Sequence, residues 1–181
     1  MEEESQRLSN LLHNILDFGR MERGTKAYVM KPTHLQPILE HMARLFSYRL
    51  RSKGFVFRLE QPEEPVYLET DAEALKQALV NLIDNAIKYS RATREIHLRL
   101  KEDESEIRIQ VEDRGIGMRE EEKEKIFDSF YRGQEAFEVN PGGVGLGLKI
   151  VRHIMEAHRG RIEVISQPGQ GSTFSLVFPR P

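Results

Sequence analysis

Two stretches of this chain, EIHLRL and EIRIQV, alternate apolar and polar residues. Ile96, Leu98 and Leu100 face one way in the first, and Ile107, Ile109 and Val111 do so in the second, after the polar link KEDESE. A period of two sends successive side chains to opposite faces of a strand, so the pair reads as a hairpin with one apolar face that has to be covered. FVFRL and PVYLE, with EQPEEP as the turn between them, are further short strands, as is AYVMKP. Two more, near 161–166 and 172–178, are joined by the turn sequence SQPGQGS. Helical spacing separates these groups. Leu35, Ile38, Leu39, Met42, Leu45, Phe46 and Leu50 run up to Gly54, and a second helix over 71–89 follows a capping box of Thr70 and Glu73. A charged helix is predicted near 119–126, an irregular region near 128–143 and a last helix over 144–158. Paired strands with helices between the groups predict an α+β fold, a mixed, mostly antiparallel sheet covered by helices on one face.

Residues 5–22 stand apart from that pattern. Leu8, Leu11, Ile15 and Phe18 recur at a/d spacing, widened by Leu12 and Leu16, and the run stops at Gly24. This predicts a helical arm in residues 1–24 before a main domain in 25–181. The stripe has to pack either on a partner helix or on its own domain. A chain of 181 residues can bury one sizeable core. With a formal charge of −2 and no tract that gathers Lys and Arg, nothing favours nucleic acid. The absence of cysteine excludes disulfides, thiol catalysis and thiolate metal sites. No long apolar run occurs, and MEEESQRLSN is acidic and polar where a signal peptide is basic then apolar, so the piece is expected to be soluble.

Three segments carry chemistry. On the helix over 71–89, Asn81, Asn85 and Lys88 fall within about 60° of one another, opposite Leu75, Leu79, Leu82 and Ala86. Carboxamide oxygens suit Mg²⁺ and an ammonium suits phosphate, although an ordinary solvated face has the same composition. EDRGIGM, directly after a strand, can present the Asp113 carboxylate into a pocket floored by the backbone of Gly115 and Gly117, where it would accept a bond from an exocyclic amine such as that of adenine. Alone it is equally a polar turn. Gly143, Gly145 and Gly147 alternate at the start of a helix, where free N–H groups and the positive dipole end favour phosphate. The spacing matches neither a P-loop nor a dinucleotide fingerprint, and no protein-kinase H-R-D or D-F-G follows.

Taken in order, these segments resemble the ATP-binding domain of sensor histidine kinases, in the superfamily that also holds the gyrase, Hsp90 and MutL ATPases. NLIDNAIKYS is similar to the N box, DRGIGM to the G1 box, IFDSFYRG to the F box, GGVGLGL to the G2 box and PGQGSTFSLVFP to the closing strand segment. RLSNLLHNILDFGRMERG resembles the second helix of the dimerisation and phosphotransfer hairpin. The likeness covers about residues 5–179. It implies a two-layer sandwich of the Bergerat type and assigns roles. Asn85 is implied as the Mg²⁺ ligand, Asn81 as its support, and Lys88 as the cation toward the terminal phosphates. Tyr89 would lie against the adenine ring, Asp113 would bind the adenine amino group, and Gly115 and Gly117 would shape that pocket. Phe127 and Phe130 would anchor a lid and Arg132 would approach the γ-phosphate. Gly143, Gly145, Leu146 and Gly147 would hinge the lid and contact phosphates, and Thr173 would touch the adenine side through water.

The resemblance further implies transfer of the ATP γ-phosphoryl group to a histidine on the first hairpin helix, then to an aspartate of a response regulator. It implies a homodimer in the full-length protein and a cytoplasmic setting for this domain, within a parent that is either soluble or membrane-anchored. The sequence departs from the family pattern in one respect. The family's acceptor histidine is followed by an acidic residue, and none of His13, His34, His41, His97, His153 or His158 is. The expectation is therefore a nucleotide-binding fragment that holds Mg·ATP without phosphorylating itself. Two other functions share the nucleotide boxes: a serine kinase of the same superfamily, and a noncatalytic regulatory module that binds nucleotide.

Overall fold

The computed structural model describes residue 12 and residues 15–91, 93–140 and 143–180. In chain order the elements are helix α1 (15–22), strand β1 (Lys31–His34), helix α2 (Leu35–Arg51), β2 (Val56–Glu60), β3 (Tyr67–Thr70), α3 (Ala72–Tyr89), β4 (Glu95–Glu102) and β5 (Glu106–Asp113). Two 3-10 turns follow, then α4 (Gln134–Val139), α5 (Gly147–Ala157), β6 (Arg161–Gln167) and β7 (Gly171–Pro179). The main sheet has the order β2-β4-β5-β7-β6, with β2 and β4 parallel and every other pair antiparallel; β1 and β3 form a separate two-stranded sheet.

The period-two pattern accounts for the layering. The six apolar residues of the β4/β5 hairpin are all buried, as are Leu176 and Phe178 of β7. Their outward neighbours form ion pairs across strands, Arg58 with Glu95, Arg99 with Glu60 and Glu112, and Arg108 with Glu163, and one along β5, Arg108 with Glu106. The apolar face is covered by α2, α3 and α5. Leu75, Leu79, Leu82 and Ile83 of α3 are at most 1 % exposed, and each contributes roughly 1.5–3 kcal/mol by leaving water. That sum exceeds any single cap or ion pair, so burial fixes which face of α3 turns inward and leaves the asparagine stripe on its flank. Among the described residues no helix is long and apolar enough to cross a membrane.

Several local expectations are corrected. The strand expected at AYVMKP begins at Lys31, and residues 25–30 before it carry no regular secondary structure. FVFRL and PVYLE do not pair with each other. β2 joins β4 in the main sheet and β3 joins β1. The α3 cap is Asp71, whose side chain accepts from the N–H groups of Glu73 and Ala74; Thr70 is the last residue of β3, buried and paired with Lys31. The charged segment near 119–126 forms only the turns Glu120–Glu122 and Lys125–Phe127, since it lacks an apolar stripe to hold a longer helix on the core. The last helix starts at Gly147, three residues later than expected. Leu8, Leu11 and His13 lie outside the described residues. The described part of the arm packs on its own domain: Met21 is buried, and Asp17 accepts from Gln77 at 2.6 Å and faces Lys26 at 3.5 Å, while Leu12 and Leu16 stay exposed.

Candidate functional site

A cleft of about 510 Å³ opens between α3, the end of β5, the lid segment before α5 and the N-terminus of α5. The polar flank of α3 brings Asn81, Asp84, Asn85 and Lys88 to it, with Tyr89 at the helix end. β5 delivers Asp113 at its last position, and the following turn adds Ile116, Gly117 and Met118. Gly143 and Gly145 to Gly147 close the far wall. Segments distant in sequence thus meet in one cavity, with an apolar end around Ile116 and Phe174 and a polar end around the α3 amides.

Asp113 is the electrostatic centre of the apolar end. It is 6 % exposed, its Oδ1 accepts the Gly115 N–H at 2.7 Å, and it pairs with Ser172 across β5 and β7. Burial pushes its carboxyl up to about 6; the backbone bonds from Gly115 and Ser172 only partly offset this, and the Glu112 charge adds to it. A buried carboxylate with unused lone pairs is an acceptor for a neutral N–H donor. The turn behind it is shaped by glycine. Gly117 has φ +66, and a Cβ there would come within 1.8 Å of the Gln167 carbonyl oxygen, so the β5 turn can dock against the β6–β7 turn only without a side chain.

At the polar end α5 begins without a side-chain cap: Leu146 occupies the cap position, and no acidic residue lies in the first turn. Its first N–H groups are open donors at the positive end of the helix dipole. Gly145, at φ +74, allows the lid backbone to approach: a Cβ would meet the Phe130 carbonyl carbon and the Tyr131 oxygen at 2.9 Å. The glycine run therefore packs the lid against itself as well as facing the cavity.

The structure brings Asn81, Asn85, Lys88, Tyr89, Asp113, Gly117, Arg132, Gly143, Gly145, Leu146 and Gly147 into the lining of one cleft. Gly115 lies just behind it, holding Asp113 by its N–H. Thr173 does not line it. Ser172 and Phe174 do, and strand alternation turns Thr173 to the other face of the sheet, beside Glu112 and Ile165. Arg132 reaches the lining, but its guanidinium is engaged with the lid's own carbonyls. It donates to Gly143 O at 3.2 Å, to Ala136 O at 2.8 Å and to Asn140 O, and lies over the Phe137 ring at 5.2 Å. Phe127 lines a separate groove, and Phe130 stands 63 % exposed at φ +66 against Phe18.

Sequence reasoning missed Ile15, Lys53, Asp84, Ser172 and Phe174. Asp84 sits on the same helical flank as Asn81 and Lys88 and was findable from the same 100° rotation. Ser172 and Phe174 follow from alternation once β7 is known to border β5. Lys53 and Ile15 carry no local signal, since only the chain's path brings them there.

The model of the family described as histidine kinase-, DNA gyrase B-, and HSP90-like ATPases matches residues 70–181. The sensor protein kinase WalK of Staphylococcus saprophyticus is 31 % identical over 179 residues, 98 % of this chain and 29 % of that protein. The sensor-like histidine kinase SenX3 of Mycobacterium tuberculosis is 32 % identical over 176 residues, 97 % of this chain and 43 % of that protein. The chain thus spans less than half the length of both relatives. Full-length ShkA, solved in complex with AMPPNP, superposes with a TM-score of 0.81 at 27 % identity, over 98 % of this chain and 36 % of that one. Histidine kinase ThkA, solved in complex with the response regulator TrrA, gives 0.76 at 26 % identity, over 99 % of this chain and 49 % of that one. The chain belongs to the histidine kinase-, DNA gyrase B- and HSP90-like ATPase family, and the members it resembles here are sensor histidine kinases.

Proposed function

We propose that this chain is the ATP-binding catalytic unit of a sensor histidine kinase, with residues 25–181 holding Mg·ATP and residues 1–24 forming part of the dimerisation and phosphotransfer hairpin. The observation that carries this is the convergence of Asp113, the Asn81/Asn85 flank and the uncapped α5 N-terminus on one cleft. The donor set fits the ligand. Asp113 can accept an exocyclic N–H, the open α5 amides and Lys88 suit phosphates, and the Asn85 and Asn81 oxygens suit a hard cation. Among the described residues no cluster of three His, Asp or Glu side chains could hold a metal by itself. Mg²⁺ takes one or two protein oxygens and completes its shell from phosphates and water, so the Asn85 and Asn81 oxygens are the candidate protein ligands. When bound, the ion offsets phosphate charge.

The chain's own contribution is positioning and electrostatics. Asp113 fixes the base end, Asn85 and Asn81 orient the phosphate end, and Lys88 offsets developing charge. Arg132 holds the lid shape that excludes water. The acceptor is a histidine on a phosphotransfer helix: a bond forms from its ring nitrogen to the γ-phosphorus, the bond to the bridging oxygen breaks, and ADP leaves. The phosphoryl group then passes to an aspartate of a response regulator. ShkA with AMPPNP and ThkA with its response regulator support the reading for both ends of that sequence.

Supplying a separate phosphotransfer hairpin with γ-labelled ATP tests it. The expected product is label on the hairpin in an acid-labile, base-stable form, as a phosphoramidate is. Acid-stable label on serine would favour the serine kinase, bound ATP with no transfer the regulatory module, and phosphate release without the hairpin a gyrase-type ATPase.

A further inference from the structure

The two edges of the main sheet are protected unequally. At one edge β2 is five residues long, and its charged side chains reach across to β4: Arg58 Nε lies 2.9 Å from Glu95, and Glu60 lies 3.2 Å from His97 and 2.9 Å from Arg99. At the other edge β6 runs for seven residues and pairs one-to-one with β7, from Arg161 opposite Val177 to Gln167 opposite Gly171, without bulge or proline. Ile165 there is 70 % exposed. Arg161 and Glu163 are turned to the sheet's outer face, engaged with each other and with Glu106 and Arg108. The side of β6 away from β7 has no strand partner among the described residues. A regular, unblunted edge of this kind is a template for another strand.

A groove of about 270 Å³ lies beside that edge, where β6 meets α5, and it shares no lining residue with the nucleotide cleft. Phe127, Met155 and Ile162 form its apolar walls and Gly160 its floor. Its depth depends on Gly160, where a Cβ would come within 2.5 Å of Met155 Cε and 2.7 Å of the Val177 oxygen. The groove is smaller than the roughly 300–1,000 Å³ of small-molecule sites, a size that suits one large apolar side chain. Arg152 and Arg161 stand on its rim, half exposed, Arg152 paired with Glu156 and Arg161 with Glu106 and Glu163. Arg159 sits next to them, exposed and without an ion pair among the described residues, at φ +54, where glycine or asparagine is the easier occupant. Arg159 therefore supplies the positive charge of this rim that no carboxylate offsets among the described residues.

An open strand edge beside a helix-walled pocket is the arrangement by which domains capture extended peptides, main-chain bonds giving affinity and the pocket giving specificity. We propose that β6 and this groove form a docking site for an extended segment of a partner protein. The segment adds as a sixth strand beside β6, seats one large apolar side chain against Phe127, Met155 and Ile162, and places an acidic residue toward Arg159.

The test is a fluorescent decapeptide alternating Glu with Leu and Val, titrated into the full chain beside a control whose central Leu is changed to Ser. Amide hydrogen exchange across β6 is read by NMR. The Leu peptide is expected to bind and to slow β6 exchange on the order of tenfold, and the Ser control is not. Combining Ile165→Lys with Arg159→Gly, two exposed positions outside the nucleotide cleft, should weaken the peptide by about tenfold and leave nucleotide affinity unchanged. Equal binding of the Ser control or unchanged β6 exchange would overturn the proposal. So would displacement of the peptide by a nonhydrolysable ATP analogue, or self-association through β6 that excludes the peptide.

Discussion

Asp113 is a carboxylate placed where only backbone donors reach it, and its cost to the fold can be separated from its use. With the carboxyl raised from 3.8 to about 6 by burial, the unfolded chain ionises first as pH rises. Below about pH 4 both states are protonated and there is no penalty. Between there and about pH 6 the folded state binds more protons, so stability falls as pH rises; above the folded value the penalty is complete and constant. A shift of this size corresponds to a burden on the order of 3 kcal/mol. Asp113→Asn keeps the shape and an oxygen for the Gly115 N–H, so it should raise stability above pH 6 by up to about that amount, with no gain near pH 4. Denaturation curves across this range check the sign, and a stability gain that persists in acid would refute it. In the proposed function the same change removes a charge-assisted acceptor, lowering ATP affinity about ten- to a hundredfold in calorimetry. A residue that weakens the fold while strengthening the ligand contact is what a binding site at a strand end predicts.

At the scale of elements, Asp71 is where three segments are joined. Its Oδ1 caps α3 through Glu73 N at 3.0 Å and Ala74 N at 3.1 Å, its Oδ2 accepts from Val29 N at 2.9 Å, and its own N–H donates to His158 Nε2 at 3.1 Å. Burial opposes its ionisation, but the three N–H bonds and the nearby His158 outweigh burial and hold its carboxyl below the ordinary range. Asp71→Ala should therefore cost about 1–2 kcal/mol in urea denaturation, with Asp71→Asn costing a fraction of that because a carboxamide still caps. Equal losses for the two would place the effect outside the cap. The stability that Asp71 supplies is present above the ordinary carboxylate range and is lost as pH falls through its lowered value. This junction also marks what the sequence can show. The β4/β5 hairpin and the two faces of α3 are written locally, as periods of two and 3.6, and both formed. The cap moved one residue because Thr70 and Asp71 share cap chemistry, and only the pairing of Thr70 with Lys31 removes one of them. The parallel pairing of Phe57 with Ile96 has no local signature, since the intervening chain must form β3 and α3 first. Asp113 was legible because its signal is a strand end followed by glycines. The engagement of Arg132 by lid carbonyls was not, because those acceptors exist only once the lid has folded.

Across the whole molecule, arm, lid and cleft are in contact. Ile15 of α1 lines the cleft itself, so the arm is a wall of the candidate site as well as an appendage. Phe18 meets Phe130 edge-on, with ring centroids 6.1 Å apart and planes at 74°. Phe130 holds a φ of +66, which for a bulky side chain stores on the order of 1–3 kcal/mol, and its N–H is fixed by the Gly145 oxygen at 3.1 Å. An edge-on aromatic pair contributes about 0.5–1.5 kcal/mol, comparable to the strain it helps to hold. Removing it tips the balance at the start of the lid without touching Asp113 or the α3 amides. Phe18→Ala should therefore speed amide exchange over residues 128–145 by about two- to tenfold, the range those energies convert to. Leu16→Ala, on the same helix and 60 % exposed, should leave exchange there unchanged. If both variants matched the parent chain, the arm would be only resting on the lid. If Phe18→Ala alone accelerates the lid, a displacement of α1 by a partner helix becomes a physical route from the arm to the candidate cleft.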